Sequence, residues 1–594
     1  MTNINQKNQK SKKVSQSFAA GAMIMAVGML LVKVAGAAFK IPLAYILEGI
    51  GSGYFSSAYS IYNPIYALAT AGLPIAISRM VSGDMALGRY KDVKMIHKIS
   101  VPMFVFTGFT GCILMILGSF AYVKFTNAPD SLYSMFMLAP TVFFACLISI
   151  YKGYYEGLRN MIPTAVSEIV EAVGKVVFGP TLAYAAVKYG MDEYRKHGTV
   201  FGRICEDEVA AHNATLPWAS AGAVLGITLG AVCGFLYIFI KYKISGDGIT
   251  ESELKNSEEA RPKKTLIKML LNISIPIALG AIVMNLAGAI DTMLVQRRLY
   301  DLMTEVPHII LNMYDGFIPH ETVENGTTHV FLNGCFVYMN NIIMLLPTIT
   351  QGLAISALPN VTAAWVSGTK EKIRKNIETI LKMTTVVSFP AGLGMSVMSY
   401  PIMDLIYNTF GRSSQIGEIC IASQIMSVYA IAVIFVSIST PLCSMLQAIG
   451  RADLPLKILT IGMIIKIGLN YVLVGVPEIN VQGAGIGTLV CYVFVCVTSI
   501  ILLCKKTGIT INWISVVLKP LMCGLMCAAA AYSSHGFLKN VVNYKVATIL
   551  SIGIAGIIYV LGLLLSRCLS SSDLATVPGC KKIVKTLEKF RLLD

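Results

Sequence analysis

Charge is scarce in this chain of 594 residues: 13% are Asp, Glu, Lys or Arg, against 55% hydrophobic. Soluble domains carry about a quarter charged residues, so an ordinary water-soluble globular protein is excluded. Motifs for chemistry are missing too. There is no Walker A loop, no Gly-rich dinucleotide turn, no nucleophile elbow and no H-E-x-x-H run. The fourteen cysteines lie mostly inside apolar stretches, as Cys112, Cys146, Cys233 and Cys491 do, and none forms the C-x-x-C spacing of a zinc site. Cys205 has no obvious partner nearby, so no structural disulfide is expected. The seven histidines are dispersed and receive no role. These absences point away from an enzyme, and neither a cofactor nor a metal is expected.

What the chain does have is apolar blocks about twenty residues long, the length that crosses a bilayer as a helix. The reading is an all-α polytopic membrane protein of about fourteen spans, near residues 18–46, 54–78, 99–122, 133–152, 163–188, 217–240, 269–296, 329–352, 380–400, 419–445, 456–476, 483–504, 518–536 and 546–566. The first block follows a basic start but shows no small-residue cleavage pattern, so it is read as an anchor rather than a removed signal peptide. A formal net charge of +16 would suggest nucleic acid in a soluble protein. Here most of the 48 Lys and Arg fall between spans on one side, including Lys91, Lys94 and Lys98, then Arg261, Lys263 and Lys264, then Lys581, Lys582 and Lys585. The positive-inside rule accounts for that bias and places both termini in the cytoplasm.

The organisation repeats. GLPIAISRMVSGDMALGRYKDVKMIHKI from Gly72 parallels GLAISALPNVTAAWVSGTKEKIRKNIETI from Gly352, and YYEGLRNMIPTAVSEIVEAVGKVVFG from Tyr154 parallels MLQAIGRADLPLKILTIGMIIKIGLN from Met445. Each member of the second pair places a lone intramembrane lysine, Lys175 or Lys466, about three turns beyond a proline. Six spans per half give both halves the same orientation, so a pseudo-two-fold axis along the membrane normal is expected. The expected domains are an N-terminal lobe (1–244), a charged cytoplasmic linker (245–264), a C-terminal lobe (265–504), and two additional helices with a basic tail (505–594).

Polar residues inside the spans are the candidate site. An intramembrane cation is costly unless it faces protein or a water-filled cavity, which singles out Lys33 and Lys40, about two helical turns apart on one face. Lys40 lies nearer the end of its span and has the alternative of snorkelling to the headgroups. Asn63 shares a helical face with Tyr59, Tyr66 and Thr70. Glu168, Glu171 and Lys175 fall on one face at spacings of three and four, which suits either an internal ion pair or a cavity element. Asp291 has Arg298 two turns on, beside Arg297, with the same two readings. Asn333, Asn340 and Gln351 line one face of the eighth span. Together the cations suggest an anionic substrate group such as a phosphate, held by point charges rather than by a rigid fork. With no ATP site, a membrane potential or a proton or monovalent-ion gradient is the expected energy source.

LLVKVAGAAFKIPLA, YFSSAYSIYNPIYALATAGLPIAISRMVS, SIYKGYYEGLRNMIPTAVSEIVEAVGK and AIDTMLVQRRL, within a likeness covering about residues 15 to 570, resemble the murein-lipid and polysaccharide flippases of the multidrug/oligosaccharidyl-lipid/polysaccharide exporter superfamily, above all the stage V sporulation protein B-like branch. The resemblance implies two six-helix lobes in a V around a central cavity, with the last two helices lining a groove for a polyprenyl tail. It implies that Lys33 and Lys40 stand near the positions of two first-helix arginines, at a spacing different by one residue, with a looser match at Arg79. The eighth span carries Asn340 and no arginine, leaving Arg297 or Arg298 to substitute from the preceding helix. The implied partners are a lipid-linked saccharide and membrane lipids, not nucleic acid; the implied setting is the bacterial cytoplasmic membrane, in cell-wall biogenesis or sporulation, as a monomer. The competing expectations are a cation-coupled multidrug exporter using Asp291, Glu168 and Glu171, and a non-transporting scaffold that docks envelope or spore-coat enzymes through 245–264.

Overall fold

A computed structural model describes residues 18–568 apart from positions 71, 315, 367–368, 409–414 and 452. Side chains at some further helical positions, Lys33 among them, lie outside the described residues, as does the basic tail with Lys581, Lys582 and Lys585. The chain is almost wholly helical. Twelve helical stretches among the described residues are long and apolar enough to cross a membrane. The first of these, Val34–Ala86, contains the expected second span and the latter part of the first. A further helix of 43 residues, Lys263–Glu305, covers the expected seventh span.

Contacts divide the chain into two compact units, Met1–Ala289 and Ile290–Asp594. In the first, α1 (Phe18–Thr70) bends at Glu48, whose φ of 50° and ψ of −165° interrupt the helix. This backbone region is sparsely populated by any residue but glycine, and it is where the sequence places a turn between spans. After α1 come α2 (Gly72–Ala86), α3 (Tyr90–Thr126), α4 (Ser131–Gly157) and α5 (Ile162–His197). A short antiparallel hairpin, β1 (Thr199–Val200) with β2 (Arg203–Ile204), leads to α6 (Glu208–Ser245).

The segment between the expected fifth and sixth spans, 189–216, is thus mostly structured. α5 ends with Arg195, Lys196 and His197 in its last turn and a left-handed Gly198, an arrangement that complements the helix dipole and caps the carbonyl end. Within the run Glu206-Asp207-Glu208, Asp207 is the N-cap of α6, accepting from the Ala210 N–H at 2.6 Å.

α5 and α6 pack very closely, and the reason is written every fourth residue of α6. Gly222, Gly226, Gly230 and Gly234 all lie against α5 backbone or side chain; a Cβ at Gly230 would stand 2.7 Å from the Glu171 carbonyl oxygen and 2.9 Å from the Lys175 nitrogen. Small residues at this spacing let helices approach where lipid offers no hydrophobic drive between them.

The stretch after α6 contains α7 (Glu251–Asn256), opened by a capping box between Thr250 and Glu253, and then α8 (Lys263–Glu305), which crosses the division between the units. The second unit continues with α9 (Pro307–Met313), α10 (His320–Glu324), α11 (Thr328–Ile343), α12 (Leu345–Val366), α13 (Lys370–Val397) and α14 (Ser399–Tyr407). It ends with α15 (Ile416–Ala448), α16 (Asp453–Val474), α17 (Gln482–Thr507), α18 (Lys519–Leu538) and α19 (Tyr544–Leu565). α15 is buried along most of its length and packs against α11, α12, α13, α14 and α17. The last pair, α18 and α19, is fastened to α13. The Tyr559 hydroxyl donates to the Val386 carbonyl at 2.6 Å, and Phe389 packs across Gly524.

Candidate functional site

In the first unit, Phe39 is buried against Gly179 of α5, which turns the next residue, Lys40, outward. Lys40 is exposed, and no ion pair or hydrogen bond engages it among the described residues. Arg79 on α2 is exposed in the same way. Asn63 is exposed as well, beside a run of rings, Tyr59 to Tyr62 at 5.6 Å and Tyr62 to Tyr66 at 5.2 Å between centroids. Thr70, expected on that polar face, is buried and donates to the Tyr66 carbonyl at 2.6 Å. The structure therefore keeps Asn63 and Tyr66 open and closes Thr70.

The acidic face of α5 is internally matched. Lys175 Nζ lies 2.7 Å from Glu171 Oε1 one turn away, while Glu168 is met by Lys152 of α4 at 3.2 Å. Sequence spacing anticipates the first pair and misses the second, because Lys152 arrives from another helix.

In the second unit, Lys466 on α16 and Asp291 on α8 form a cross-helix ion pair, Nζ to Oδ2 at 2.8 Å, with side chains only 14% and 10% exposed. Asn470 Nδ2 donates to the other carboxylate oxygen at 2.6 Å. Gly487 on α17 leaves the room that Asn470 occupies. Arg298 does not reach Asp291. Its guanidinium lies over the Tyr471 ring, 5.0 Å from the centroid, and 3.6 Å from Asp301, while Arg297 pairs with Asp301 at 3.0 Å. Asn333 is buried, Asn340 half-buried and Gln351 exposed, so those three do not share an environment.

A sorting of cations results. Lys175, Lys466, Arg297 and Arg298 are each held by an acid of their own unit, and Lys40 and Arg79 stay open. Asp301, Asn470 and Lys152 complete these pairs; Asn470 and Lys152 are defined only by a partner on a neighbouring helix, whereas Asp301 lies one turn from Arg297 on the same helix and was open to the same spacing argument as Glu171 and Lys175.

The charged linker is not a loose tether. Arg261 donates through Nη2 to Asp84 at 2.6 Å and through Nε to Asp92 at 2.9 Å, and Arg89 also reaches Asp92 at 2.9 Å. Asp247 takes Lys94 at 2.6 Å and the Tyr154 hydroxyl at 2.7 Å. The linker thereby lies down on the α2–α3 turn and the end of α4.

Residues 327–552 match the family model described as Lipid II flippase MurJ. Among curated proteins, the chain is 19% identical over 505 residues to Lipid II flippase MurJ of Bacillus subtilis (strain 168), covering 83% of this chain and 84% of the relative. It is 20% identical over 580 residues to Stage V sporulation protein B of the same organism, covering 96% and 99%. Among solved structures, Lipid II flippase MurJ in an inward closed conformation superposes with a TM-score of 0.61 at 14% identity, covering 92% of this chain and 99% of that one.

Proposed function

We propose that this chain, a multi-pass membrane relative of the lipid II flippase MurJ and of stage V sporulation protein B and a transporter rather than an enzyme, flips an undecaprenyl-pyrophosphate-linked saccharide across the bacterial cytoplasmic membrane by alternating access. The carrying observation is the sorting of cations. A pyrophosphate needs positive charge that is not already neutralised, and on the first span Lys40 supplies it, with Lys33 two turns earlier. Lysines act here as mobile point charges, which suits a headgroup that must be released as well as held. The polyprenyl tail stays in lipid throughout.

The same geometry bears on the multidrug reading. An organic cation requires an uncompensated acid, but Asp291, Glu171 and Glu168 each face a lysine within 3.2 Å. The scaffold reading relies on 245–264 as a free docking segment, and that segment is occupied with Asp84, Asp92 and Lys94.

The test is reconstitution into vesicles containing a fluorescent lipid-linked disaccharide whose outward-facing fraction is read with an impermeant quencher. Transport at a rate above protein-free vesicles supports the proposal. Export of a cationic dye with no movement of the labelled lipid would replace it with the multidrug reading.

A further inference from the structure

At the linker end of the first unit lies a cavity of about 540 Å³ that the transport reading does not use. Five segments converge on it: the end of α2, the start of α3, the turn between α4 and α5, the end of α6, and linker residues 246–249. Two cations line it, Arg159 from the α4–α5 turn and Lys241 from α6, and neither has an ion-pair partner among the described residues. The acid in the wall, Asp247, is already satisfied by Lys94, the Tyr154 hydroxyl and the Ile249 N–H. The uncompensated charge of the cavity is therefore positive.

Two further features specify the ligand. α5 begins beside this wall with Pro163 in its first turn, which brings the positive end of a 36-residue helix to the cavity. The volume greatly exceeds the roughly 30 Å³ of a water-sized occupant, and falls in the range of about 300–1,000 Å³ that takes small organic ligands. Tyr90 and Tyr155 contribute flat apolar surface to it.

We infer that this cavity binds a small phosphate ester, its phosphate between Arg159 and Lys241. Two sources share that chemistry: a phosphatidylglycerol headgroup from the adjacent leaflet, or a soluble sugar phosphate or nucleotide. Because Gly246 and Asp247 form part of the wall, occupancy also fastens the linker in its docked position.

The full-length protein in nanodiscs tests this with two arms, phosphatidylglycerol titrated into phosphatidylcholine discs and followed by native mass spectrometry, and glycerol 3-phosphate or uridine monophosphate titrated calorimetrically into pure phosphatidylcholine discs. One arm should show binding that weakens at least tenfold in Arg159→Gln/Lys241→Gln and returns in Arg159→Lys/Lys241→Arg. Which arm responds identifies the source. Both substituted side chains are exposed, so the variants should retain the wild-type melting temperature. Absence of binding in both arms up to millimolar ligand, or equal binding by the glutamine variant, overturns the inference.

Discussion

Lys466 on α16 and Asp291 on α8 sit 2.8 Å apart, although 175 residues separate them in the chain, and Asn470 takes the remaining carboxylate oxygen. The pair tethers α16 to the part of α8 that belongs to the second unit. Breaking a buried pair from one side leaves an uncompensated charge, which costs about 3–5 kcal/mol, whereas replacing both partners by apolar groups is often close to neutral. Asp291→Leu alone and Lys466→Met alone should each lower the unfolding midpoint in detergent markedly. The double variant should recover most of the loss, and thermal melts of the four proteins measure it.

The glycines of α6 are a second stability determinant. Gly230→Val pushes a branched side chain against the Glu171 carbonyl and the Lys175 backbone. Overpacking of this kind typically costs about 1–3 kcal/mol, and it also displaces the helix turn that carries the Glu171–Lys175 pair. Gly468→Ala on α16, where no atom beyond the adjoining backbone of its own helix lies within 4 Å of an added Cβ, is the control and should be neutral or slightly stabilising. Differential scanning fluorimetry of both variants decides it.

Arg261 holds Asp84 and Asp92, of which Asp92 has only 1% of its side chain exposed. Arg261→Ala should release the linker, seen as at least a tenfold rise in amide exchange across residues 247–260, which corresponds to about 1.4 kcal/mol of local opening. Arg261→Lys should fall between, because a single ammonium cannot span both carboxylates as the planar fork does.

The class and the approximate spans are legible in the sequence because each apolar block must satisfy its own backbone hydrogen bonds in lipid and so declares itself by length alone. The resemblance pointed to the same fold as the solved structure that superposes on this chain with a TM-score of 0.61. Partnerships between helices were not legible. Helical spacing set Asp291 beside Arg298, yet Arg298 turns to Asp301 and Tyr471 while Lys466 comes from another helix. Glu171 and Lys175 were readable because both sit on one helix, one turn apart. The four glycines of α6 recur every fourth residue in the sequence, a local signal for close helix packing that is independent of the charge pattern. That the linker is folded down depends on Arg261 finding acids about 170 residues earlier, a distance no local pattern reports.

Strain at the bend of α1 gives another expectation. Glu48 holds a positive φ and approaches His212, its Oε1 3.4 Å from Nε2. Glu48→Ala keeps the unfavourable backbone and loses the contact, while Glu48→Gly loses the contact and relieves the backbone. The glycine variant should therefore be the more stable of the two by about 1–3 kcal/mol, as equilibrium unfolding of the pair measures.

The central claim is that an open lysine on the first span captures the anionic head of a lipid-linked saccharide. Its most direct measurement is the initial flipping rate of labelled lipid in proteoliposomes for wild type, Lys40→Ala and Lys40→Arg at matched protein density. The account predicts a rate at least tenfold lower for the alanine variant, about 1.4 kcal/mol of lost stabilisation, and substantial retention for arginine, with unchanged melting temperatures because the side chain is exposed. Wild-type flipping by Lys40→Ala, or background-level flipping by the wild type itself, would contradict it.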